Sequence, residues 1–95
     1  EAYLDTLSQT LQSIECSLTP DLVLFDAGID VYTDDGLGNL ELSIEGIRKR
    51  DQLVLEHYRG KDIPVATVIG GGYSKDTQEL AHRHSLIFES AINYL

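Results

Sequence analysis

The sequence predicts an α/β fold, with elements in the order α-β-α-β-α and the two strands parallel. Three observations carry that prediction. Two short runs, Leu22-Val23-Leu24-Phe25 and Val65-Ala66-Thr67-Val68-Ile69, are rich in β-branched or bulky apolar residues. A segment of helical periodicity joins them, the usual connection between parallel neighbours. A glycine-containing loop follows each run, so both loops open at the same edge of one sheet, where ligands gather in α/β proteins.

Each element has its own signature. Leu4, Leu7, Leu11 and Ile14 recur at three- and four-residue steps, the stripe of an amphipathic helix over 1–14. Thr19-Pro20 closes it, because the residue before proline is pushed out of the α region. The first strand run lacks alternation and reads as a strand covered on both faces. Residues 27–39 hold three glycines and three aspartates and form a loop longer than the usual connection. Ser43 is an N-cap for a helix running to Arg59, with Ile44, Ile47, Val54, Leu55 and Tyr58 turned inward and Gly60 as its terminator. Pro64 precedes the second strand. The last helix has the stripe Leu80, Ala81, His84, Ile87, Phe88, Ala91, Ile92 and Leu95. Two strands among three helices leave two sheet edges unpaired, so self-association through open edges, or further sheet beside them, is expected.

Composition narrows the function. Sixteen acidic against seven basic side chains give a formal charge of −9. Lys and Arg gather only at Arg48-Lys49-Arg50, which is no footprint for nucleic acid. No apolar run approaches membrane-spanning length and no signal-peptide pattern opens the chain. A single cysteine, Cys16, excludes an internal disulfide and a cysteine-based zinc cage. A soluble, reducing compartment, the cytoplasm, is the expectation. The chain contains no Met, which suits an excised part of something longer.

The acidic loop carries Asp26, Asp30, Asp34 and Asp35 at the end of the first strand. Carboxylates so crowded suit a divalent cation, whose charge offsets their repulsion. A solvated turn is the ordinary alternative, and composition alone favours it. Asp30, Asp34 and Glu41 fall at three ligand positions of an EF-hand, but Tyr32 and Asp35 occupy places that need a ligand and a glycine. A calcium loop is rejected.

Gly28, Asp30, Asp35, Leu37 and Gly38 fill a Gly-x-Asp-x-x-x-x-Asp-x-Leu-Gly pattern that resembles a segment of the zinc-dependent histone deacetylase family. Leu42-Ser43-Ile44-Glu45-Gly46-Ile47 and Arg50-Asp51 look most like its class IV and bacterial members, and Gly70-Gly71-Gly72-Tyr73 falls where that family has a glycine-rich tyrosine loop. The resemblance runs from Pro20 to the C-terminus. It implies that residues 1–95 are a C-terminal fragment of a deacetylase-like catalytic domain, a single and incomplete domain resembling the C-terminal part of the three-layer arginase/deacetylase fold.

By that resemblance Asp35 is the carboxylate ligand of a catalytic zinc, or of another divalent metal, and Asp30 supports the loop. Tyr73 is the catalytic hydroxyl that hydrogen-bonds the substrate carbonyl as it becomes an oxyanion. Gly71 and Gly72 line the channel for acetylated lysine or another N-acyl amine. Asp34 stands where many members have Gly, and Gly36 where many have Arg. The family's Asp-x-His motif and its adjacent histidines are absent, and a catalytic zinc needs about three protein ligands. His82 and His84 lie about 200° apart around a helix and cannot share a metal; His84 reads as a hydrogen-bonded core histidine, His82 as solvent-facing, and His57 as lying on the surface or at an interface. The chain alone is expected to be inactive. A second reading takes the loop of Gly70, Gly71 and Gly72 as an anion or phosphate cradle at a helix N-terminus, though it has neither the Lys of a P-loop nor a dinucleotide fingerprint.

Overall fold

The computed structural model describes residues 2–32 and 42–94. Its elements are α1 (Ala2–Ser17), β1 (Val23–Asp26), α2 (Ile44–Arg59), β2 (Val65–Val68) and α3 (Thr77–Ile92), in the predicted order. β1 and β2 pair in parallel, with Val23 beside Val65, Leu24 beside Ala66, Phe25 beside Thr67 and Asp26 beside Val68. The fold is α/β, as the sequence predicts. Among the described residues no helix is long and apolar enough to cross a membrane.

α2 organises the packing. Ser43 caps it in an extended conformation, and its hydroxyl accepts the Gly46 N–H at 3.0 Å. One core cluster joins Leu11 of α1 to Val54 and Tyr58 of α2 and to Ile63, with Val23, Phe25 and Val65 packed against it. A second joins Leu55 of α2 to Ile87 of α3 and to Ala27, again against Phe25 and Val65. Both clusters use the strand residues of one sheet face, so all three helices lie on that side.

The opposite face is bare among the described residues. Leu24 is 77% exposed and Val68 58%. This corrects the expectation of a first strand covered on both faces: accessibility alternates along β1 and β2 because helices cover only one side. β1 also lies one residue later than its apolar run, since Asp26 rather than Leu22 takes part in the ladder.

Two helical expectations also change. α3 buries Arg83, Leu86, Ile87 and Ser90, while Phe88 and Ile92 are exposed. The helix meets α2 and Ala27 through the 83/86/87/90 side, which turns the 81/88/92 side away. α2 ends at Arg59 with Gly60 as its C-cap, where the sequence places the stop, but Gly60 is still right-handed (φ −62°) and the reversal comes later. Asp62 takes the left-handed conformation (φ 58°). Its N–H bonds Arg59 O and the Ile63 N–H bonds Tyr58 O, each at 3.0 Å. These are the paired bonds of a Schellman ending, with Ile63 folded back onto Tyr58 in the same core cluster.

Candidate active site

Both loops leave the sheet at the same edge, as the parallel order requires. The Ala27 N–H continues the ladder to Val68 O at 2.9 Å, and the Ile29 N–H reaches Gly71 O at 2.7 Å. Residues 27–29 therefore run along the glycine loop rather than away from it. Tyr32 N–H turns back to Ile29 O, Leu42 N–H bonds Val31 O at 2.8 Å, and Tyr32 and Leu42 form an isolated parallel bridge. That bridge joins the two described residues that flank 33–41 in the sequence. Asp35, the expected metal ligand, lies outside the described residues, as do Asp34, Gly36, Leu37 and Gly38.

Asp30 lies between the loops. A Cβ placed on Gly28 would lie 3.1 Å from its Oδ1, and one placed on Gly71 would lie 3.2 Å from its Oδ2. A Cβ on Gly72 would meet Ile29 Cγ1 at 2.5 Å and His84 Cε1 at 3.5 Å. Gly70 is pressed against the Asp26 carboxylate in the same way, with Cγ 2.8 Å from where a Cβ would stand. The glycines thus let backbone approach side chains of the first loop. Tyr73 follows them at 45% exposure, its ring accessible at the loop tip.

Behind this contact lies a buried charge pair. Arg50 is 5% exposed and Asp51 0%. Arg50 Nη1 donates to Gly28 O at 2.5 Å and Nε to Asp51 Oδ1 at 3.0 Å, with the guanidinium 5.6 Å from the Phe25 ring centre. Nη2 approaches the same Asp51 oxygen to 2.9 Å without a hydrogen-bonding geometry, and Asp51 Oδ2 has no hydrogen-bond partner among the described residues. Burial raises the Asp51 carboxyl above its ordinary range, while the charge and hydrogen bond of Arg50 pull it down.

Arg83 of α3 is also buried. Its guanidinium lies 4.4 Å from the Tyr32 ring centre, while Nε and Nη2 have no hydrogen-bond partner among the described residues. His84 is half-buried beside Gly72, and its Nδ1 has no hydrogen-bond partner among the described residues. His82 is exposed as expected, and His57 stands edge-on to Tyr58 near Glu15. The N-terminus of α3 is occupied by its own cap: Asp76 Oδ1 accepts the Gln78 and Glu79 N–H groups at 3.0 and 3.1 Å. Those amides face a carboxylate already, which disfavours an anion there.

Among the described residues no group of three or more His, Cys, Asp or Glu side chains is placed to hold a metal ion. The described part does not fit a metal by itself. Sequence reasoning brought Asp30, Gly71, Gly72 and Tyr73 to one place, and the structure does bring their loops together. It named Arg50-Asp51 only as part of the resemblance, and it did not foresee that they and Arg83 are buried. The signal existed, because residues 47, 50, 51, 54, 55 and 58 share one helical face and all are buried.

Comparison with known proteins gives the same direction. The histone deacetylase domain family matches residues 1–87. An uncharacterized protein of Picosynechococcus sp. is 41% identical over 91 residues, which cover 96% of this chain and 30% of that protein. Histone deacetylase 2 of Arabidopsis thaliana is 36% identical over 77 residues, 81% of this chain and 20% of that protein. The chain thus spans less than a third of the length of either relative.

Proposed function

Because this chain belongs to the histone deacetylase family, we propose that it supplies one wall of a zinc-dependent amide-hydrolase site acting on acetyl-lysine or a similar N-acyl amine. Asp35 is the carboxylate contributed to the metal and Tyr73 the hydroxyl aimed at the substrate carbonyl. Asp30 braces the loop, and Gly71 and Gly72 line the acyl-lysine channel on the side away from Ile29. The remaining ligands and the acid–base histidines come from sequence this chain does not contain, so the 95-residue chain alone is inactive.

The observation that carries this reading is the Ile29 N–H to Gly71 O bond. It joins the segment leading to Asp35 with the loop leading to Tyr73, two residues whose proposed roles concern the same carbonyl. A bound zinc ion supplies Lewis acidity toward that carbonyl and a more acidic water. The chain's own part is positional. A tyrosine hydroxyl held on a short glycine loop donates a hydrogen bond where negative charge develops, with little reorganisation, a contribution of about 10²- to 10³-fold in rate.

The test is a pair of substitutions in the full polypeptide. Asp35→Ala is expected to abolish metal binding and hydrolysis of an acetyl-lysine peptide. Tyr73→Phe is expected to keep the metal and the fold while turnover falls by about 10²- to 10³-fold. Stoichiometric zinc and undiminished turnover in Asp35→Ala would overturn the assignment.

A further inference from the structure

The buried pair Arg50–Asp51 has no part in the site proposed above, yet it reaches the point where the two loops meet. Gly28 C=O and Ile29 N–H belong to one peptide group. No peptide bond in the described chain is cis, so the carbonyl and the N–H of that plane point in opposite directions. On one side the carbonyl accepts from Arg50 Nη1 at 2.5 Å; on the other the N–H donates to Gly71 O at 2.7 Å. A single rigid plane is therefore held between α2 and the glycine loop.

We propose that Arg50, clamped by Asp51, is a positioning residue that sets the first loop against the glycine loop, and through them Asp30 against the backbone that carries Tyr73. The assignment to catalysis rests on the deacetylase reading; the coupling of the loops does not. Arg50 is suited to the task because its guanidinium is planar and offers donors in fixed directions. Nε is taken by Asp51 Oδ1, the Phe25 ring lies 5.6 Å from the guanidinium carbon, and Nη1 is left aimed at Gly28 O. A lysine at this position would keep a cation beside Asp51 but has one nitrogen for both partners. With the plane released, the 28–30 segment loses its hydrogen bond to α2, and small displacements of reacting groups are costly: about 1 Å can lower a rate on the order of 10²-fold.

The experiment uses the full polypeptide with Arg50→Lys and Arg50→Ala, the second assayed with and without guanidinium chloride at non-denaturing concentration. Zinc content, unfolding midpoint, kcat and KM on an acetyl-lysine peptide, and amide exchange at Ile29 are read together. In Arg50→Lys the expected result is retained zinc, kcat lowered on the order of 10²-fold with KM little changed, and Ile29 exchange faster by about tenfold or more. Added guanidinium is expected to restore part of the turnover of Arg50→Ala; if that variant does not fold, Arg50→Lys decides. Unchanged Ile29 exchange in Arg50→Lys overturns the proposal, and so does faster exchange with wild-type kcat. If the wild-type protein hydrolyses no acyl-lysine with zinc bound, the deacetylase reading fails, and Ile29 exchange alone decides whether Arg50 holds the loops together.

Discussion

Gly72 and Ile29 adjoin so closely that no methyl group fits between them: a Cβ on Gly72 would stand 2.5 Å from Ile29 Cγ1 and 2.8 Å from Cδ1. Ile29 is 2% exposed, so its side chain is packed on nearly every side. Gly72→Ala is therefore expected to destabilise by about 1–3 kcal/mol, the usual cost of overpacking. Gly71→Ala should cost less, because what it meets is the Asp30 carboxylate at 3.2 Å, an exposed side chain that can yield. Urea unfolding of the two variants checks the order, and a larger loss in Gly71→Ala would contradict it.

Asp62 is the described non-glycine residue with positive φ, at 58°. A Cβ costs energy there, and Asp tolerates it only in part. Asp62→Gly is expected to stabilise by roughly 0.5–1 kcal/mol while keeping the Tyr58–Ile63 bond. Asp62→Val should do the reverse. Thermal unfolding of both variants reads the sign directly.

Arg83 and Tyr32 form a contact whose strength can be isolated. The guanidinium is desolvated above the ring; Nη1 lies 4.0 Å from Glu79 Oε2, and Nε and Nη2 lack hydrogen-bond partners among the described residues. Buried cations in that state contribute little net stability, so Arg83→Met is expected to be close to neutral. Tyr32→Leu should cost more in the wild type than in the Arg83→Met background, by about 0.5–2 kcal/mol. A double-mutant cycle measures that difference, and a coupling of zero would mean that the ring and the cation merely touch.

Burial holds the Asp51 carboxyl above its ordinary value of 3.8, against the opposing pull of Arg50. The folded state then binds this proton more tightly than the unfolded chain does. The resulting stabilisation is full below the unfolded value of 3.8 and is lost as pH rises through the folded value. Asp51→Asn cannot titrate. The stability of wild type minus that of Asp51→Asn should therefore fall with rising pH from that point upward. Unfolding in urea at a series of pH values gives the slope; a difference that grows with pH would show that Arg50, not burial, dominates.

Much of this fold is legible because its residues obey simple spacing. Leu7 and Leu11 place α1, Ser43 starts α2 where an N-cap should, and the two β-branched runs pair as parallel neighbours. The meeting of the two loops was also legible, since parallel strands must release their chains at one edge. What resisted reading were the places where a local rule yields to packing. Arg50, Asp51 and Arg83 occupy core positions of helical stripes, yet charge ordinarily marks a surface. Conversely Phe88 and Ile92 are apolar and exposed, because the described chain gives that side of α3 nothing to meet. Asp62 was hidden behind Gly60, the more obvious terminator two residues earlier.

The pairing of Val23 with Val65 has a consequence for how the protein comes into being. Those partners are forty-two residues apart in the chain, and the intervening segment must close before their ladder can form. Contacts of such separation accumulate late in folding, after local helices. The bond from Ile29 to Gly71 depends on that ladder, so neither loop acquires its working shape in advance. The contact between the loops is therefore a long-range one, complete only when the strands hold their final register.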